Sequence, residues 1–333
     1  MSRFTIARSR LGEQELVLLV DRDAEREIRI ALRGATVLSI ATEKRGKMHD
    51  IADGFRSEKE LVKHTGSRFA IMTPFANRVD DARYTFEGTA YDLQPGAVGA
   101  DRASRHGFLR GATFHLDREK ADDTHAAVTL SAKIRPDDQP GYPFALDVSV
   151  TFTLDNDGLT LKAETHNVGK HDAPTFFGWH PYFRLSDNPI ETWELQVPAD
   201  TVIAAREDFI PLAGTRAWTS LDKADPRIDF RSPRTIGDVE LNHTFADLQL
   251  DADGRARTRL RDPATGESIA VWQTKGVMLA FTSDTAERDA RKSVALEPME
   301  CIPDAFNRDD CAPLIRLPPG EKKTFLCGVE FAA

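Results

Sequence analysis

Cysteine is scarce. There are three in 333 residues, Cys301, Cys311 and Cys327, an odd number with no CxxC pair. That usage excludes a disulfide framework and fits reduced thiols, and the spacing is not a zinc pattern, so no metal site is expected from it. Long apolar runs are missing as well. No stretch could span a bilayer as a helix, and the first ten residues hold no apolar signal-peptide core, so a cytoplasmic protein with no membrane partner is expected. Positive charge is in deficit, 44 Lys and Arg against 53 Asp and Glu, a net charge of −9. Nucleic acid is bound by a basic face, and no basic run supplies one. There is no GxSxG elbow, P-loop or dinucleotide fingerprint, and the nine histidines include no HxH or HExxH pair. Helical periodicity beyond a few turns, repeats of fixed length and linker-like breaks in composition are also lacking.

What the chain does have is strand alternation, with enough length to bury a large core. Arg26 to Leu32, Ala126 to Ile134, Asp147 to Leu154 and Leu159 to Glu164 alternate apolar and polar residues, the period of a half-buried strand. Asp155-Asn156-Asp157-Gly158 between the last two is a strong turn signal. Trp193 to Val197, Thr258 to Leu260, Ile269 to Trp272, Val277 to Phe281 and Lys323 to Val329 read the same way. Tyr84 to Phe86 and Tyr91 to Leu93 flank Glu87-Gly88-Thr89 as a hairpin. Residues 43 to 67 read as a long loop with one short helix near Ser57–Val62, and Pro95 to Arg105 as a second loop. Many short strands without intervening helices predict an all-β protein. The expectation is a large antiparallel β-sandwich of two sheets with few short helices, one domain over residues 1–333.

Two distant stretches share a device that suits acid–base chemistry. Gly178-Trp179-His180-Pro181-Tyr182-Phe183 sets a histidine among aromatics and before a proline, which biases it to an extended backbone. Trp179 and Tyr182 would offer a sugar an apolar face with a polar edge. Ser293-Val294-Ala295-Leu296-Glu297-Pro298 alternates like a strand and ends on a carboxylate before a proline. His180 could give a proton to an oxygen, or be a packed, inert ring. Glu297 could be the matching base, partly desolvated beside Val294 and Leu296, or a rim carboxylate, with Glu300 its rival. Asn77-Arg78 offers an amide and a guanidinium fork for adjacent hydroxyls, or simply ends a strand. His106, in His106-Gly107-Phe108-Leu109-Arg110-Gly111, lies where no core would want it. Asn242, in Leu241-Asn242-His243-Thr244-Phe245, is either a binding edge or a turn.

Taken in order, these segments resemble the aldose 1-epimerase (galactose mutarotase) family. The resemblance rests on Arg33-Gly34-Ala35, Pro74-Phe75-Ala76-Asn77-Arg78-Val79, Phe86-Glu87-Gly88, His106-Gly107-Phe108, His180-Pro181-Tyr182-Phe183, Asn242-His243-Thr244-Phe245, Leu296-Glu297-Pro298 and Pro303-Asp304-Ala305-Phe306-Asn307. It implies a galactose mutarotase-like supersandwich that interconverts the α and β anomers of a free aldohexose such as galactose or glucose, without cofactor or metal. It further implies Glu297 as base on the C1 hydroxyl, His180 as acid on the ring oxygen, and Arg78 and His106, with Asn77 beside them, holding hydroxyls. Asn242 stands where the family usually carries an aspartate, which bears on sugar preference. Beside a metal-dependent β-sandwich enzyme, two further alternatives remain at this point. One is a hexose-6-phosphate 1-epimerase with Arg68, Arg105 and Arg110 at the pocket mouth, and the other a non-catalytic carbohydrate-binding protein. The partner expected is a small-molecule sugar, and the sequence carries nothing on oligomeric state.

Overall fold

Strict alternation in the middle of the chain becomes strict alternation of burial. In Ala126–Ile134 and Leu146–Leu154 every second side chain is buried, as expected where one face of a sheet packs and the other is wet. A computed structural model describes residues 2–44, 46–99, 102 and 104–331. Arg45 of the expected first loop, and residues 100, 101 and 103 of the second, lie outside the described residues.

Three large sheets organise the chain. Phe4–Leu11, Gln14–Asp21, Arg26–Ala31, Thr36–Lys44 and Lys47–Asp50 form a five-stranded meander in sequence order. A nine-stranded sheet runs His115–Ala121, Ala126–Ile134, Leu146–Leu154, Gly158–Asn167, Lys322–Phe331, Ser268–Gln273, Ala256–Arg261, Glu194–Gln196 and Arg234–Thr235. An eight-stranded sheet runs Trp218–Ser220, Ala199–Ile203, Asn242–Leu248, Val277–Phe281, Val294–Met299, Gly178–His180 and Ala70–Met72, with Tyr182–Phe183 also paired to Val294–Met299. Every ladder between these strands is antiparallel. One apolar cluster takes in residues of all three, among them Ile28, Phe152 and Met278. This is the all-β, antiparallel fold that the alternation predicts, but with three large sheets where two were expected, because the N-terminal strands form a meander of their own.

The remaining expectations fall out locally. The Asp155 carboxylate accepts from the backbone N–H groups of Asp157 and Gly158 at 2.9 and 3.2 Å, which closes the turn between two core strands. The short helix is Glu58–Lys63, its N-cap Ser57 accepting from Glu60 N at 3.3 Å. Arg83–Phe86 pairs with Thr89–Asp92 as the hairpin. Several strands escaped the sequence reading, among them Gln14–Asp21, Phe4–Leu11, His115–Ala121, Ala199–Ile203 and Lys47–Asp50, the last inside the expected loop 43–67. Gln14–Asp21 carries Leu16-Val17-Leu18-Leu19, buried on both faces and so without alternation, and Phe4–Leu11 is an edge strand, mostly exposed and polar.

Candidate active site

The eight-stranded sheet brings the two X-Pro segments together. Gly178 lies opposite Met299, while Tyr182 and Phe183 lie opposite Ala295 and Val294. That unbroken register sets His180 directly across from Glu297. The ladder lapses between these points, where Pro181 and Pro298 have no N–H to donate. Directly opposed residues project from the same face at contact distance, and His180 Nε2 lies 3.2 Å from Glu297 Oε1. Glu297 is therefore in mid-strand, since Val294–Met299 continues through Pro298 with every residue buried, and does not end its strand as the sequence suggested.

Period two then sorts the neighbours. Tyr182, two residues from His180, stacks on its ring at 4.8 Å between centroids and 9° between planes, and its hydroxyl donates to Gly66 O at 3.0 Å. Trp179 projects to the other face, fully buried against Phe69, so Tyr182 alone supplies the aromatic surface expected of both. Glu300, three residues beyond Glu297, also faces elsewhere. It accepts from Phe177 N at 2.8 Å and pairs with Lys275 Nζ at 2.9 Å, which removes it as a rival base.

Asn77, Arg78 and His106 come from two loops clamped side by side. Asn77 has left-handed φ (+56°), its carbonyl accepts from His106 N at 2.8 Å, and its side-chain oxygen accepts from Arg78 Nη1 at 2.8 Å. His106 is also left-handed, with φ +61°, a conformation uncommon outside glycine and enriched for Asn and His. Gly107 follows because a Cβ there would collide with the Thr73 backbone. His106 is half-buried, with Nδ1 2.9 Å from Met72 Sδ and its ring edge-on to His180 at 5.1 Å. Asn242 opens the strand opposite Phe281.

All six expected residues line one cavity of about 510 Å³, with Tyr182 and a wall from His64 to Arg68. That volume is within the usual range for small-molecule sites, about 300–1,000 Å³. Sequence reasoning missed Ser67 and the opposite wall, Thr285-Ala286-Glu287-Arg288. The available signal was a polar, charged stretch between two apolar strands, where functional loops are common.

Burial governs the charges. It pushes Glu297 well above the usual carboxylate range, only Arg78 pulling the other way. It also lowers His180 to about 3, with Arg110, Arg68 and Arg78 adding to the effect. His106 is lowered too, first by burial and then by His180 and the arginines. Burial therefore drives the pair towards its uncharged form, a neutral ring beside a carboxyl that resists losing its proton. His180 Nδ1 and Glu297 Oε2 are buried without a hydrogen-bond partner among the described residues. Each such atom costs about 1–3 kcal/mol, a cost the fold carries beside the cavity. Ligand-type atoms of His106, His180 and Glu297 also lie within 4.8 Å of one another. Although sequence spacing gave no hint of this trio, Arg68, Arg78, Arg105 and Arg110 surround it and their field opposes a cation.

An antiparallel all-β fold thus carries a buried carboxyl–imidazole pair on the lining of a polar cavity. The aldose 1-epimerase family model matches residues 16–329, and the chain belongs to that family. Human galactose mutarotase is 26% identical over 305 residues, 87% of this chain and 86% of that protein. The uncharacterized Escherichia coli protein YihR is 26% identical over 254 residues, 76% of this chain and 75% of its own. The crystal structure of galactose 1-epimerase from Lactobacillus acidophilus superposes with a TM-score of 0.79 at 17% identity, covering 100% of this chain and 99% of that one; this last likeness concerns the fold.

Proposed function

We propose that the protein is an aldose 1-epimerase in which His180 and Glu297 open and reclose the sugar ring. The observation that carries this is the opposed pair, 3.2 Å apart, on the lining of a cavity that also holds Asn77, Arg78, His106 and Asn242. The pair holds one proton. With that proton on His180, Glu297 is a desolvated carboxylate that can take the C1 hydroxyl proton while His180 protonates the ring oxygen. The C1–O5 bond breaks, an open-chain aldehyde forms, and the enzyme is left as Glu297-COOH with neutral His180. That is the form burial favours, so the charged pair is the high-energy partner and ring opening relieves it. Rotation about C1–C2 and closure on the other face return both protons to their starting atoms. Each group acts once as acid and once as base, as a reaction between near-equivalent anomers requires.

Around the pair, Tyr182 lies against His180 and sets its ring plane, and the neutral His106 ring can accept from or donate to a hydroxyl. Arg78, Asn77 and Asn242 hold further hydroxyls. Support for an enzyme, rather than a sugar-binding protein, is that binding alone needs no buried acid–base pair. The test is polarimetry on freshly dissolved α-galactose and α-glucose, extended to charged aldoses. Acceleration over buffer that both Glu297→Gln and His180→Asn lose supports the reading. Acceleration that survives both substitutions overturns it.

A further inference from the structure

The cavity carries more positive charge than an acid–base pair needs. Arg68, Arg78, Arg105, Arg110 and Arg288 all line it. Two are answered by carboxylates: Arg68 is paired with Asp53, and Arg288 lies 3.2 Å from both Asp53 and Asp289 and 3.5 Å from Glu60. Arg78, Arg105 and Arg110 have no carboxylate within ion-pair distance among the described residues. Arg78 donates to Asn77 Oδ1 at 2.8 Å and lies over the Phe209 ring, and Arg110 donates to Ser67 Oγ at 2.7 Å. Arg105 is exposed at the mouth.

This arrangement works against the fold. Arg105 and Arg78 are register partners in the short ladder of Ser104–Arg105 with Arg78–Val79, and like charges directly opposite are destabilising. Each of Arg78 and Arg110 has its pKa lowered, by burial first and by Arg105 next. The acidic groups on the lining do not cancel the excess: Glu60 is engaged with Arg288 and with Arg56 N, Glu297 faces His180 and is driven by burial towards its uncharged form, and Glu287 is exposed. A chain of net charge −9 has thus gathered unpaired guanidinium groups at one place.

We propose that the aldose taken by this site carries an anionic substituent, a phosphate, sulfonate or carboxylate, gripped by Arg105 and Arg110 while C1 lies against His180 and Glu297. Guanidinium forks suit oxyanions, which they bind through paired N–H donors. Ser67, whose oxygen already accepts from Arg110, keeps its own O–H to donate to the same anion. Arg68, expected from the sequence to join such a cluster, is tied to Asp53 and does not. The inference rests on the epimerase reading for the placement of C1, and it favours a charged aldose over the neutral hexose expected from the sequence.

The test is anomer exchange at equilibrium, by two-dimensional exchange NMR, on glucose, galactose, glucose 6-phosphate, the corresponding 6-sulfonate and glucuronate. Hydrogen bonds to charged groups are each worth about 1.5–3 kcal/mol, so kcat/KM for at least one charged aldose should exceed that for glucose by about 10–100-fold. Which of the three charged sugars leads identifies the anion. Arg105→Gln with Arg110→Gln should bring the ratio towards one, chiefly through KM. Turnover of neutral sugars equal to or better than every charged one overturns the inference and leaves the epimerase standing. If no aldose is turned over, calorimetry with glucose 6-phosphate, the sulfonate and glucuronate decides. Binding of any of them that the arginine substitutions abolish keeps the anion site and removes the epimerase, and absence of such binding removes both. If the double variant does not fold, the wild-type ratio alone decides.

Discussion

His180 and Glu297 are each driven towards the uncharged form by burial, and this has consequences that can be measured one residue at a time. Removing either should lower kcat by about 10²–10⁴-fold, the usual worth of a positioned acid or base. Stability should move the other way in Glu297→Gln. An unfolded carboxyl loses its proton above the ordinary value of 4.5 while the folded one keeps it, so the folded state binds more protons and this group's contribution falls as pH rises. The amide cannot ionise, so the Tm of Glu297→Gln should exceed wild type, and by more at pH 8 than at pH 4.5. An unchanged difference across that interval would contradict the raised carboxyl. For His180 the sign is reversed. Between about 3 and the ordinary 6.5 the unfolded chain takes up a proton that the folded one refuses, so stability rises with pH through that window. The activity profile follows from the same proton count. The one-proton pair gains a second proton only far below 6.5, so kcat/KM should stay flat from pH 7.5 to about pH 5. A fall centred near 6.5 would show an ordinary, charged histidine.

At the scale of elements, the site depends on a strand register and on two loops pressed together at Gly107. Gly107→Ala would need a left-handed backbone and would drive its Cβ into the Thr73 backbone. It should lower Tm and, if the protein folds, raise KM through displacement of His106; thermal unfolding and steady-state rates check both. The same scale shows what the sequence can carry. Ala126–Ile134 and Leu146–Leu154 were legible almost to the residue because one face of each is wet. The segment 16–19 was not, because both its faces are buried. His180 and Glu297 were legible as types in context, an ionisable group before a proline, but their opposition was not. It depends on a register shared by strands more than a hundred residues apart in the chain, which no local pattern records. The cavity's second wall was hidden for the opposite reason: Thr285 to Arg288 belong to a loop with no periodicity, and only the fold gives them a place.

On the scale of the whole molecule, net negative charge surrounds a cavity with unpaired arginines. A charged aldose should therefore show kcat/KM that falls as salt rises, since attraction to Arg78, Arg105 and Arg110 is screened over about 10 Å at 0.1 M ionic strength. A neutral aldose should not. Among the described residues no helix is long and apolar enough to cross a membrane. The His106, His180 and Glu297 trio should work without a metal ion, so prolonged dialysis against a chelator should leave turnover unchanged, and loss of activity restored by one divalent ion would replace the acid–base account. The most direct measurement is the exchange rate between the α and β C1 protons of an aldose, by NMR at equilibrium, with wild type, Glu297→Gln and His180→Asn at equal concentration. The account predicts exchange above buffer with wild type and a collapse in both variants while their folded signals persist. Undiminished exchange in either variant would contradict it.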